Sequence, residues 1–107
     1  MKHVYCPDVE GVDSQAAGLK GSAKMIAKLI SEDSICIELF PGGHTPDHAH
    51  NDKERLVVMS GRGETKIKEG KRDIKPWDFL EFDADEQHQI FNNSNESLIF
   101  MCFRNQK

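Results

Sequence analysis

The chain has 107 residues, 37% of them hydrophobic and 30% charged, which is room for one compact domain and leaves two cores of roughly 100 residues each out of reach. That balance is too apolar for a disordered tail and too polar for a membrane protein. Fourteen Lys and Arg against eighteen Asp and Glu give a net charge of -4, with the basic residues scattered among acids, so no nucleic-acid partner is expected for want of a clustered positive surface.

The first stretch is rich in Gly, Asp and Ser and has no sustained period, so an irregular N-terminal arm (1–22) is expected ahead of the domain proper (23–107). Its opening residues, Met1-Lys2-His3-Val4-Tyr5, lack the apolar stretch of a signal peptide. No apolar run approaches the roughly 20 residues that span a bilayer, so a cytoplasmic address without a membrane partner is expected. From Met25 onward, apolar runs of strand length follow at close intervals, at 25–30, 35–40, 55–60, 64–68, 71–75, 78–82, 88–92 and 97–103. Between them stand Glu32-Asp33-Ser34, Gly61-Arg62-Gly63, Glu69-Gly70 and Asn93-Ser94-Asn95-Glu96. These residue types tolerate left-handed backbone or hydrogen-bond it locally, and each segment can turn one strand back on the next. Met25, Ile26, Leu29 and Ile30 fit a helical period nearly as well, but everything after them reads as β, and the spacing predicts an all-β sandwich or barrel.

Cys6, Cys36 and Cys102 form no CxxC pair and are too few for a disulfide framework. Cys36 and Cys102, inside apolar runs, are expected to be buried, and Cys6 exposed.

His48 and His50 are two residues apart, with Glu54 four further on. On an extended strand residues two apart share a face, so both imidazoles can aim at one point. Glu54 cannot join them on a straight strand, because six residues at about 3.3 Å each carry it roughly 20 Å away. The chain must reverse at Asn51-Asp52-Lys53, a polar segment of hairpin-loop length. Alone, a His-x-His pair is equally the pattern of two polar residues on a wet strand; the surrounding frame is what distinguishes it.

That frame runs Gly42, five residues, His48-Ala49-His50, three residues, Glu54, six residues, Gly61. It resembles in full the first sequence motif of the cupin superfamily. The second cupin motif is met in part: His88 and Asn92 stand at its His and Asn positions, while Trp77, Asp83 and Asp85 replace its Gly, Pro and Gly. With Pro41-Gly42-Gly43-His44-Thr45-Pro46 and the closing run 97–103, the chain is similar to small single-domain cupins of bacterial type over roughly residues 25–104. The resemblance implies a double-stranded β-helix, or jelly-roll barrel, with His48, His50, Glu54 and His88 holding one divalent metal. It also implies that Trp77 fits a turn where the family uses Gly, which would be strained at positive φ.

Other polar residues are given plainer tasks. His44 is expected in a solvated loop and His3 uninvolved; Arg55 should point away from Glu54 into a surface ion pair. Asp83, Asp85 and Glu86 are expected either at the pocket mouth or in a solvated loop. Three imidazoles and a carboxylate suit manganese, iron, nickel, cobalt or zinc, without choosing among them. The expected function is a metal-dependent enzyme, of dioxygenase or isomerase type, on a small oxygenated metabolite. The alternative is a non-catalytic metal- or metabolite-binding or sensing module. A small-molecule ligand is the expected partner, together with a second copy in a homodimer, since a sheet this small leaves exposed edges.

Overall fold

The computed structural model describes residues 1–104. A 3-10 turn at Cys6–Asp8 precedes nine strands: β1 (Val12–Asp13), β2 (Ala23–Ser31), β3 (Ser34–His44), β4 (Glu54–Ser60), β5 (Gly63–Ile67), β6 (Gly70–Ile74), β7 (Phe79–Phe82), β8 (Gln89–Phe91) and β9 (Leu98–Arg104). The ambiguous first run is a strand: β2 pairs with β3 from Met25 opposite Leu39 to Ser31 opposite Ser34. Its pairing, not its local period, settles the matter. Among the described residues, no helix is long and apolar enough to cross a membrane.

The pairings are antiparallel, in the order β6-β5-β8-β3-β9-β4-β7, with β2 also on β3 and β1 on β2. The sheet curls because β3 serves both sides of it. Ser34 to Leu39 lie between β2 and β9, whereas His44 pairs with Phe91 of β8. The strand bulges between those points, so that Met25 opposes Leu39 while Ala23 opposes His44. Gly42 takes a φ of +83°, and a Cβ on Gly43 would meet the carbonyl oxygens of Lys24 and Phe40 at 2.6 and 2.8 Å. Glycine is required at this corner by both backbone angle and close approach. The outcome is a jelly-roll barrel whose apolar core is formed by Met25, Ile37, Leu39, Leu56, Val58, Phe82, Ile90, Leu98 and Phe100, among others.

The turn before β7 keeps the backbone of the motif glycine without the glycine. Trp77 has a φ of 76° and is 84% exposed, held by its N–H donating to the Val58 carbonyl at 2.8 Å. Asp85, at the second motif glycine, has a φ of 65°. A left-handed residue with a Cβ costs about 1–2 kcal/mol, and glycine's larger loss of chain entropy returns about 0.5–1 kcal/mol of that. Trp77→Gly should therefore raise the melting temperature by a few degrees, whereas Trp77→Ala, which keeps a Cβ, should not; thermal denaturation of the two variants is the check.

Candidate metal centre

Glu54 opens β4, where Glu54, Leu56 and Val58 are buried in alternation. Arg55, on the other face, opposes Glu81 of β7, and its Nε donates to Glu81 Oε2 at 2.8 Å, the surface ion pair expected of it. His88 enters from the opposite wall. It forms a single antiparallel bridge with His48, in which each residue's N–H donates to the other's carbonyl, at 3.1 and 2.9 Å. That pairing puts the two imidazoles on one face.

One expectation is corrected here. His48 and His50 do not lie on a continuous strand: His48 makes only the isolated bridge, and His50 is in irregular chain. Pro46, which has no N–H to donate, precedes them, and the bridge to β8 spans one residue pair. Backbone bonds aim the rings instead. The Asp85 N–H donates to the His50 carbonyl at 2.6 Å, tying this loop to the one before β8. Arg104 Nη2 donates to Asp52 Oδ1 at 2.8 Å and anchors the reversal to the end of β9.

One donor atom from each of His48, His50, Glu54 and His88 lies within 4.8 Å of the others. Glu54 Oε1 is the hub, at 2.7 Å from His88 Nε2, 3.6 Å from His50 Nε2 and 3.9 Å from His48 Nε2. Two of the rings are held by their far nitrogens. His48 Nδ1 donates to the Pro46 carbonyl at 2.6 Å and His88 Nδ1 to the Glu86 carbonyl at 2.8 Å. These contacts assign the proton to Nδ1 and direct Nε2 inward, the arrangement that orients a metal-ligating imidazole. Phe82 stacks on His88 with ring centres 3.9 Å apart and planes within 5°. A set of three imidazoles and one carboxylate, with no thiolate, fits a divalent transition ion, so the group could hold one.

The electrostatics are those of a buried ion pair. Burial works against charge on Glu54, but the His88 hydrogen bond and the nearby imidazoles outweigh it and hold the carboxyl below its usual range. Burial also works against the His88 imidazolium, and the bonds to Glu54 and to the Glu86 carbonyl overcome it, so its pKa is raised. His50 goes the other way, pushed down mainly by burial. A lowered carboxyl contributes stability above its unfolded value, near 4.3, that is lost as pH falls; a raised imidazole contributes below about 6.5 and loses it as pH rises. In chelator-treated protein, the melting-temperature advantage of wild type over Glu54→Gln should therefore be largest between roughly pH 4.3 and 6.5 and shrink on either side.

A cavity of about 390 Å³ opens against the four residues. Asp83, Asp85 and Glu86 do not edge it; they line a separate surface depression with Lys66 and Lys68, because Asp85 and its neighbours turn outward before His88 turns in. His44 is not in a solvated loop but ends β3, half-buried, with its ring 5.9 Å from that of Phe91. His3 is exposed, and Cys6 is half-buried while Cys36 and Cys102 are buried. Two contributors were not visible in the sequence: Phe82, which ends the apolar run 78–82, and Thr45, whose hydroxyl accepts from the Ile90 N–H at 2.9 Å and links the two walls.

Solved structures share this fold. The polyketide cyclase RemF from Streptomyces resistomycificus superimposes with a TM-score of 0.85 at 19% identity, over 97% of this chain and 78% of that one. A predicted oxalate decarboxylase from Thermotoga maritima gives 0.83 at 20% identity, over 99% and 100%. The cupin domain of an XRE family transcriptional regulator from Enterobacter cloacae gives 0.68 at 26% identity, over 79% and 99%. No curated protein matches the chain in sequence. The family model of the cupin domain, Cupin_2, matches residues 36–104, well over half of the chain, and with the jelly-roll barrel around it this match makes the chain a member of the cupin family.

Proposed function

We propose that His48, His50, Glu54 and His88 bind one divalent transition metal and that the domain, residues 23–107 behind an arm of 1–22, is a metal-dependent enzyme of dioxygenase or isomerase type acting on a small oxygenated metabolite. The observation that carries this reading is the convergence of four donor atoms within 4.8 Å at the wall of a 390 Å³ cavity. A divalent ion held there supplies Lewis acidity or a redox centre. The residues of the chain then divide the remaining tasks. Pro46 and Glu86 carbonyls hold the His48 and His88 protons on Nδ1, Phe82 fixes the His88 plane, and the apolar wall excludes water from the reacting end of a ligand. Similar solved structures described as a polyketide cyclase and a predicted oxalate decarboxylase support an enzyme.

A second reading, a metal- or metabolite-sensing module, is favoured by one feature. Apart from the four donors, the described cavity residues offer acids only at the rim, Glu32 and Asp33, and no further histidine. The similar domain of a transcriptional regulator supports it too. Elemental analysis of purified protein, with oxygen uptake and product analysis over hydroxy-acid, diketone and catechol panels, tests both. Turnover of one class supports the enzyme; metal-dependent binding of every class without turnover supports the module.

We further propose that the protein forms a homodimer. β1 pairs with Ile26 and Ala27 of β2, and β6 and β7 are the two ends of the main sheet order. Beside β7, Phe79 opposes Val57 on one face, and Met59 and Phe79 are both exposed. Light scattering at micromolar concentration should give twice the chain mass, and Phe79→Asp should return it to the monomer.

A further inference from the structure

The metal-facing end of the cavity and the rest of it have opposite chemistry. Beyond the four donors the wall is built by Met25, Ile35, Ile37, Leu56, Ile90 and Phe100, of which Leu56 and Phe100 are 1% and Ile90 2% exposed. Of the other polar side chains that line the cavity, Thr45 is engaged within the barrel, and Glu32, Asp33 and Arg104 stand exposed at the rim. Thr45 Oγ1 accepts from the Ile90 N–H at 2.9 Å and donates to the Pro46 carbonyl at 3.3 Å. At the rim, Asp33 Oδ1 accepts from Ser31 at 2.8 Å, and the Arg104 guanidinium is paired with Asp52 at 2.8 Å. Burial pushes the Cys102 thiol well up, so it stays protonated and acts as apolar wall.

A ligand that carries a hydroxyl on every carbon would have to strip water from each of them and find no partner beyond the first two. A ligand with an apolar body gains from the same wall in proportion to the area it buries. The volume, about 390 Å³, sits at the small end of the range for small-molecule sites. We infer that the cavity selects a small, hydroxyl-poor molecule, an arene or branched alkyl chain with a pair of adjacent oxygens at one end, its body lying on Met25, Ile37, Leu56, Ile90 and Phe100 and its oxygens at the histidine end. The orientation rests on the metal-binding reading; the choice of an apolar over a polyhydroxylated body rests on the wall alone.

Two measurements separate those parts. In zinc-loaded protein, titration calorimetry with benzohydroxamate, acetohydroxamate and gluconate should show benzohydroxamate binding at least tenfold more tightly than either of the others. Ile37→Phe, which fills the bowl, and Ile35→Asn, at a half-buried wall position that tolerates polarity, should each reduce that preference at least fivefold with acetohydroxamate affinity and zinc content unchanged. In chelator-treated protein, toluene should shift the methyl NMR signals of Ile37, Leu56 and Ile90, and glucose should not. Toluene shifts without zinc uptake would sink the metal reading and leave the apolar selection standing. Equal affinities for the three chelators, or tighter gluconate, would overturn the selection, as would toluene leaving those methyls unmoved.

Discussion

Replacing His48 and His50 together by alanine should lower bound metal from about one ion per chain to under about a tenth, with the fold retained. Two of the four donors vanish, and even partners one shell further out cost about 10–100-fold in affinity when removed. The folding cost is small because these side chains are 26% and 24% exposed and neither belongs to the apolar core. The Glu54–His88 hydrogen bond, at 2.7 Å, remains. Elemental analysis beside circular dichroism is the measurement, and equal metal in variant and wild type would refute the ligand assignment. His88→Ala is the contrasting case. His88 is 2% exposed, stacked on Phe82 and bonded to both Glu54 and the Glu86 carbonyl. Its loss leaves a buried carboxylate without its partner, so metal binding and stability should fall together, by several kcal/mol in the latter.

The contrast shows which parts of the centre are local and which are made by the fold. Strand positions were legible because the segments between them carry turn chemistry, from Glu32-Asp33 to Asn93-Ser94. The convergence of Glu54 with His48 and His50 was legible from chain length alone, since only a reversal brings them together. The way His48 and His50 are held was not. Their backbone is fixed by His88 and Asp85, which are distant in sequence, so no local period records it. The positive φ at Trp77 and Asp85 was equally hidden from composition; only the resemblance marked those positions, and the fold imposes the angle on residues that do not favour it. The character of the cavity was hidden too, because inward-facing Ile and Leu in a barrel strand read the same whether they close a core or line a pocket.

Asn92 belongs to the same class, and removing its amide should cost the barrel much of its stability without touching the metal centre. It is 1% exposed and completes four hydrogen bonds. Its Nδ2 donates to the Leu39 carbonyl at 2.8 Å and the Glu96 carbonyl at 2.6 Å, while its Oδ1 accepts from the Ser94 N–H at 2.9 Å and the Ser94 hydroxyl at 2.7 Å. The side chain therefore ties the turn before β9 to β3, 53 residues away in sequence. Asn92→Ala leaves the buried Leu39 carbonyl without this donor and unlatches the turn, costing about 3 kcal/mol and lowering the melting temperature by roughly 10–20 °C. Ser94→Ala, which removes one of the four bonds together with the exposed contacts of the same hydroxyl to the Glu96 backbone, should cost about 1 kcal/mol. Asn92→Asp discriminates further. An ionised carboxylate keeps the two Ser94 bonds but turns an acceptor toward two carbonyls, so it should be no better than alanine at neutral pH. It should recover as acid protonates it, since the neutral acid can donate to one of them. None of these bonds touches the four donor residues, so metal content measured well below the melting temperature should stay at the wild-type level in all three variants. A loss of metal that tracked the loss of stability would instead place Asn92 among the residues that position the site.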